Sequence, residues 1–151
     1  MKKFSFPLER VLNYKEQVEN NLKSEHAQIM KNIVDREHEK EALEEQFCVV
    51  AEKREQDTKS CRASSFLLYD MYFQGILTQV EKKEHELDGL RRKEERKRQE
   101  VVHARMETAS IEKLKEKKHQ EYDREAQKVQ ERQVEEFVSN QSSVSHTGWA
   151  L

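Results

Sequence analysis

The residues able to do chemistry in this chain are few, and their spacing defeats the obvious uses. His85-Glu86 opens like the HExxH of a zinc hydrolase, in which two imidazoles one helical turn apart hold the metal, but the position of the second imidazole is Gly89. The pair therefore reads as solvated helix surface. His26, His38, His103, His119 and His146 stand singly, and Cys48 and Cys61 lie thirteen apart with no CxxC, which gives neither a disulfide framework nor a zinc knuckle. Two incidental thiols fit a reducing compartment. There is no GxxxxGK[ST] phosphate loop and no GxGxxG fingerprint. The sequence reads as a protein that is not an enzyme and has no catalytic residues, cofactor or metal.

Arg91-Arg92-Lys93-Glu94-Glu95-Arg96-Lys97-Arg98 carries six basic and two acidic residues, enough to raise nucleic acid as a ligand. No aromatic interleaves the run for base stacking, and acidic stretches flank it, so it reads as a solvated helix face. The whole chain has 28 basic and 30 acidic residues, a net charge of -2 that gives no general drive toward polyanions. No partner nucleic acid is expected. Phe47-Cys48-Val49-Val50-Ala51 is the longest apolar run, far short of the roughly 20 residues a bilayer requires, so no direct membrane insertion is expected and the placement is cytoplasmic.

These residues must be positioned by helices. Of 151 residues 38% are charged and 34% hydrophobic, too few apolar side chains for a thick core, while good helix formers dominate and no proline follows Pro7. Pro7 suits the first turn of a helix, with Ser5 as a cap. From Leu8 the heptad columns are Leu8, Lys15, Leu22, Ile29, Arg36, Leu43, Val50 and Leu12, Glu19, His26, Ile33, Lys40, Phe47, Arg54. Eight of these fourteen are apolar, which marks a narrow seam. A second register runs through Phe66, Phe73, Val80, Leu87, Glu94, Val101, Thr108 and Tyr69, Ile76, Lys83, Leu90, Lys97, Ala104, Ile111, with ten of fourteen apolar.

Between the registers Ser60-Cys61-Arg62-Ala63-Ser64-Ser65 interrupts the seam with three serines that compete for backbone hydrogen bonds. The expected fold is all-α: a long antiparallel two-helix coiled-coil hairpin, with helix 1 over about 8–59, a turn over 60–65 and helix 2 over about 66–138. Residues 1–138 form a single domain in this reading. Folding back about residue 62 sets Leu8 near Glu116, so the C-terminal part of helix 2 overhangs, and the uncharged segment 139–151 is read as a disordered tail. In the aromatic cluster after the turn, Leu68, Tyr72 and Leu77 fall off the seam and project toward another surface or into solvent.

Phe4-x-Phe6-Pro7-Leu8-x-x-Val11-Leu12-x-Tyr14-Lys15 with Glu19, then Leu114-Lys115-Glu116-Lys117-Lys118, Glu121-Tyr122, Glu125 and Gln133-x-Glu135-Glu136-Phe137, resembles the bacterial flagellar export protein FliJ over nearly the whole chain. The resemblance implies a coiled-coil stalk similar to the central gamma stalk of rotary F-type ATPases. Such a stalk inserts in and activates the hexameric flagellar type III export ATPase, couples it to the cytoplasmic domain of the export gate, and handles export chaperones. Its place would be the cytoplasm, peripheral at the inner-membrane base of the flagellum.

On this resemblance the ATPase-ring contact maps to Phe4, Phe6, Leu8, Val11, Leu12, Tyr122 and Phe137, and the export-gate contact to Tyr69, Tyr72, Phe73 and Ile76. On the first helix His38, Ala42, Glu45 and Val49 stand where the family's gate patch is more apolar, and Glu135-Glu136 replaces a commoner Asp-Glu. The alternatives are the equivalent stalk of a virulence-type secretion system and a generic self-associating coiled-coil scaffold.

Overall fold

With proline confined to position 7, nothing in the backbone chemistry forces an early stop on a helix once it has started. The computed structural model describes residues 3–59 and 65–146 and contains two helices, α1 (Glu9–Lys59) and α2 (Ser65–His146), with no strand among the described residues. At the start of α1 the Glu9 amide donates to the Phe6 carbonyl at 3.2 Å and the Leu12 amide to that of Leu8 at 2.9 Å. Glu9 itself places a carboxylate in the first turn, where the helix dipole favours negative charge.

Contacts divide the chain into two units, Val18–Ala104 and Met1–Gln17 with Arg105–Leu151. Within Val18–Ala104 the two helices run antiparallel. Phe47 packs its ring 4.7 Å from that of Phe73, Lys40 meets Glu84 at 2.7 Å, Glu25 meets Lys97 at 3.0 Å, and His26 Nε2 lies 2.7 Å from Glu94 Oε1. Ile33, Phe73, Ile76, Leu87 and Ala104 are the buried hydrophobic residues, Leu87 only 2% exposed. Ile33, Phe47, Phe73, Ile76, Leu87 and Ala104 all come from the heptad columns.

The polar seam residues survive by a different route. Arg36, Lys40, Lys83 and Lys97 are half-buried at seam positions and carry their charges out to flanking carboxylates. Glu39 accepts from Lys83 at 2.8 Å and from Arg36 at 2.7 Å, which holds its carboxyl below the usual carboxylate range, the Lys83 hydrogen bond being the larger cause. The Glu84 hydrogen bond raises Lys40 in turn. Glu19, 3% exposed, is neutralised one turn along α1 by Lys23 at 2.6 Å.

In the other unit the lead-in and the start of α1 pack on α2. Lys15 bonds Glu107 at 2.7 Å, Lys115 bonds Glu9 at 2.8 Å, and Phe6, Leu12 and Thr108 are buried. The sequence reading set Leu8 near Glu116, and the neighbouring pair Glu9 and Lys115 is the one that meets.

Two boundaries differ from the sequence reading or escape it. Residues 60–64 of the expected turn lie outside the described residues, and α2 starts at Ser65. The segment from Ser139, expected as a disordered tail, is instead helical as far as His146, where α2 ends. Neither Gly nor Pro occurs there before Gly148, and adding a residue to an existing helix costs far less than starting one. Residues 147–151, Trp149 among them, lie outside the described residues.

Gly75 and Gly89 sit inside α2, and a Cβ built at either meets nothing within 4 Å. Each therefore gives up helix propensity with no intramolecular return. Gly75→Ala and Gly89→Ala should each stabilise the protein by about 0.5–1 kcal/mol, read as a higher Tm in thermal denaturation. A fall in Tm for either variant would mean that a contact outside the described packing uses the bare backbone.

Candidate functional site

A helix pair with one seam has two kinds of apolar residue: those spent on the seam and those left over. The second kind is available to a partner. It gathers in two places, one in each unit.

From Ser65, α2 begins with a dense apolar stretch. Phe73 and Ile76 are seam positions and are 9% and 5% exposed. Tyr69 is half-buried, and its hydroxyl donates to Asp57 Oδ2, an interaction that pushes the phenol's pKa up. Arg54 extends over the rings of Phe66 and Phe73, its guanidinium carbon 5.9 and 5.6 Å from their centroids, and reaches Asp70 at 3.4 Å. Of the four residues expected at the gate, only Tyr72, 48% exposed, presents a large outward face. Leu68, 69% exposed, stands beside it, with Leu67, Met71 and Leu77 exposed nearby. Val50, Lys53, Leu68, Tyr69 and Tyr72 line one shallow groove.

On α1, His38, Ala42, Glu45 and Val49 are all exposed, and the groove there is lined by Glu41, Glu44, Glu45, Cys48 and Val49. That face is acidic, with Val49 as its large exposed apolar residue. Leu67 and Met71 join the expected Leu68, Tyr72 and Leu77 on the exposed side, and the same heptad count places them outward.

In the unit built from Met1–Gln17 and Arg105–Leu151, the seven residues expected at the ATPase ring separate into three groups. Phe6 and Leu12 are interior. Phe4 and Tyr122 are half-buried and brought together, the Phe4 ring 5.6 Å from Tyr122 and edge-on to His119 at 4.8 Å. His119 Nδ1 lies 2.8 Å from Asp123 Oδ2, and this histidine was not among the expected contacts. Leu8, Val11 and Phe137 are exposed, Phe137 at 68%. Val134 and Val138, also exposed, join Phe137 on one helical face at the i, i+3, i+4 spacing, a signal legible in the sequence. Every residue from Gln127 to Gln141 is exposed.

Among the described residues no group of three or more His, Cys, Asp or Glu side chains is placed to hold a metal ion, and His85 keeps Gly89 as its neighbour one turn on. No helix among them is long and apolar enough to cross a membrane. Residues 4–146 match the family model described as Flagellar FliJ protein. The chain belongs to the FliJ family. No curated protein and no solved structure matches it. Membership of the FliJ family implies a role related to flagellar protein export.

Proposed function

We propose that this FliJ-family protein is the stalk of the flagellar type III export apparatus. In this reading the two helices form a coiled coil whose C-terminal helix overhangs its partner and inserts in the export ATPase ring. The stalk promotes ring assembly and ATP hydrolysis, couples the ring to the cytoplasmic domain of the export gate, and receives export chaperones. Bond cleavage belongs to the ATPase. The protein would act in the cytoplasm, peripheral at the inner-membrane base of the flagellum.

The observation that carries this reading is the exposed helix from Gln127 to Gln141 with Val134, Phe137 and Val138 on one face, in a chain that matches the family from residue 4 to residue 146. A ring must close on a helix with apolar side chains still available, and these are available. Leu8, Val11 and Phe137 are then the direct ring contacts, Phe4 and Tyr122 contribute edges, and Phe6 and Leu12 hold the fold beneath them. The gate contact centres on Tyr72 with the outward edge of Tyr69, while Phe73 and Ile76 support it from the seam.

The test is ATP hydrolysis by the flagellar export ATPase of the same bacterium as the full chain is titrated in. The wild-type chain should raise the rate, and Val134→Ser with Phe137→Ser should abolish the rise while leaving helicity intact, since both side chains are exposed. Stimulation by the double variant equal to wild type would remove the ring contact from this face. Binding without any change in rate would reduce the protein to a passive linker.

A further inference from the structure

The basic run on α2 is not uniformly neutralised. Arg91 reaches Glu37 at 3.1 Å, Lys97 reaches Glu25 at 3.0 Å and Glu100 at 2.6 Å, and Arg98 reaches Glu95 at 2.8 Å. Arg92 and Lys93 make no ion pair among the described residues, and Arg96 uses its Nε only to donate to the Arg92 carbonyl at 3.3 Å. All three are exposed. Among the described residues these three cations, within a stretch of five residues, have no carboxylate partner, while their neighbours in the same run are matched.

Their arrangement is selective. Asp88, Arg91, Arg92, Glu95 and Arg96 line one open groove, so two carboxylates stand among the guanidinium groups. A phosphodiester chain, with charge at close and regular intervals, would meet Asp88 and Glu95 as well as the arginines, and no aromatic side chain in the run offers a base a stacking partner. Arg92 and Arg96 are one helical turn apart, about 6 Å along the axis. That is also the separation of two carboxylates at i and i+4 on another helix. The planar fork of each guanidinium can take one carboxylate with two parallel hydrogen bonds.

We propose that Arg92, Lys93 and Arg96 form a docking ridge for an acidic helix of a protein partner, one that presents two carboxylates a turn apart. The ridge shares no residue with the gate and ring contacts proposed above and does not depend on them. It gives the outward face of α2 a charge-reading function that the apolar surfaces lack. Because the ridge is exposed, its affinity is modest and salt-dependent, suited to a partner that comes and goes.

The experiment is fluorescence anisotropy of the full chain with a labelled, stapled helical peptide carrying glutamates at i and i+4. Its controls are the glutamine version and a peptide of the same composition with the glutamates at i and i+2. The i, i+4 peptide should bind best, weaken as salt is added, and lose roughly tenfold in affinity with Arg92→Gln and Arg96→Gln together. Arg92→Lys with Arg96→Lys, which keeps the charge and removes the fork, should fall between. Lys113→Gln with Lys117→Gln, an equal charge loss elsewhere on α2, should change little. Circular dichroism of each variant checks that the helices persist. Equal binding by wild type and the Arg92→Gln, Arg96→Gln variant would overturn the proposal, as would equal binding of the i and i+2 peptide. Tighter binding of duplex DNA, lost in the same variant, would replace it with a nucleic-acid site.

Discussion

Leu87→Ala should cost the Val18–Ala104 unit about 2–3 kcal/mol and lower its Tm by on the order of 10 °C. Leu87 is 2% exposed on a seam position, so the truncation removes buried methyl groups and leaves a gap that a pair of helices cannot close from a second layer. The lower part of the range observed for Leu→Ala is expected because a seam one side chain deep lets water reach part of the gap. Leu68→Ala, the same chemical change at an exposed position of α2, should move Tm by no more than a few tenths of a kcal/mol equivalent. Thermal denaturation followed by circular dichroism checks both. Equal losses for the two variants would mean that the outward face is packed against something, and the assignment of seam and surface would fail.

The second large effect concerns the proposed gate contact. Leu68→Ser with Tyr72→Ala should weaken binding to the cytoplasmic domain of the export gate at least about tenfold while Tm stays near the wild-type value, because neither side chain is part of the seam. Ile76→Ala should do the reverse: Tm falls, since Ile76 is 5% exposed, and gate affinity measured well below that Tm stays close to wild type. Titration calorimetry against the gate domain separates the two. A loss of affinity for Ile76→Ala with no loss of Tm would put the contact on the seam side after all.

That contrast also marks how far the sequence could be read. The heptad columns of α2 already contained Tyr69, Phe73 and Ile76, and those of α1 contained Leu12, so periodicity alone assigned all four to the seam. The family resemblance then assigned the same residues to partner surfaces, and one side chain cannot serve both fully. Phe73, Ile76 and Leu12 are buried in the chain's own packing. At Leu12, Phe73 and Ile76 burial follows the heptad position, which fixes which way a side chain points, whereas Leu8, also in a heptad column, is exposed. Leu68, Tyr72 and Leu77, placed off the seam by the same count, are exposed.

Other features had no sequence signal of that kind. The Phe4, His119 and Tyr122 cluster depends on how the non-helical lead-in lies on α2, which no helical period encodes. The helical state of the segment after Ser139 was hidden by its serines, whose weak local preference yields to propagation from the helix before them. Pairs such as Lys40 with Glu84 follow from the fold-back once its position is set, but charge pattern alone would not have chosen them from so many glutamates and lysines.

The exposed length of α2 from Gln127 to Gln141 buries no side chain and is held by its own backbone ladder and by local contacts such as Gln127 with Glu131. Order of that kind is lost a few residues at a time from the end, without the cooperativity of a packed seam. On warming, the far-ultraviolet signal should therefore begin to slope before the calorimetric peak opens, and the two curves will not superimpose. Anything that grips this stretch must supply the ordering free energy that the chain itself lacks. Its hold should weaken with temperature more steeply than a hold on the seam-backed faces, which makes this end of the molecule the thermally adjustable one.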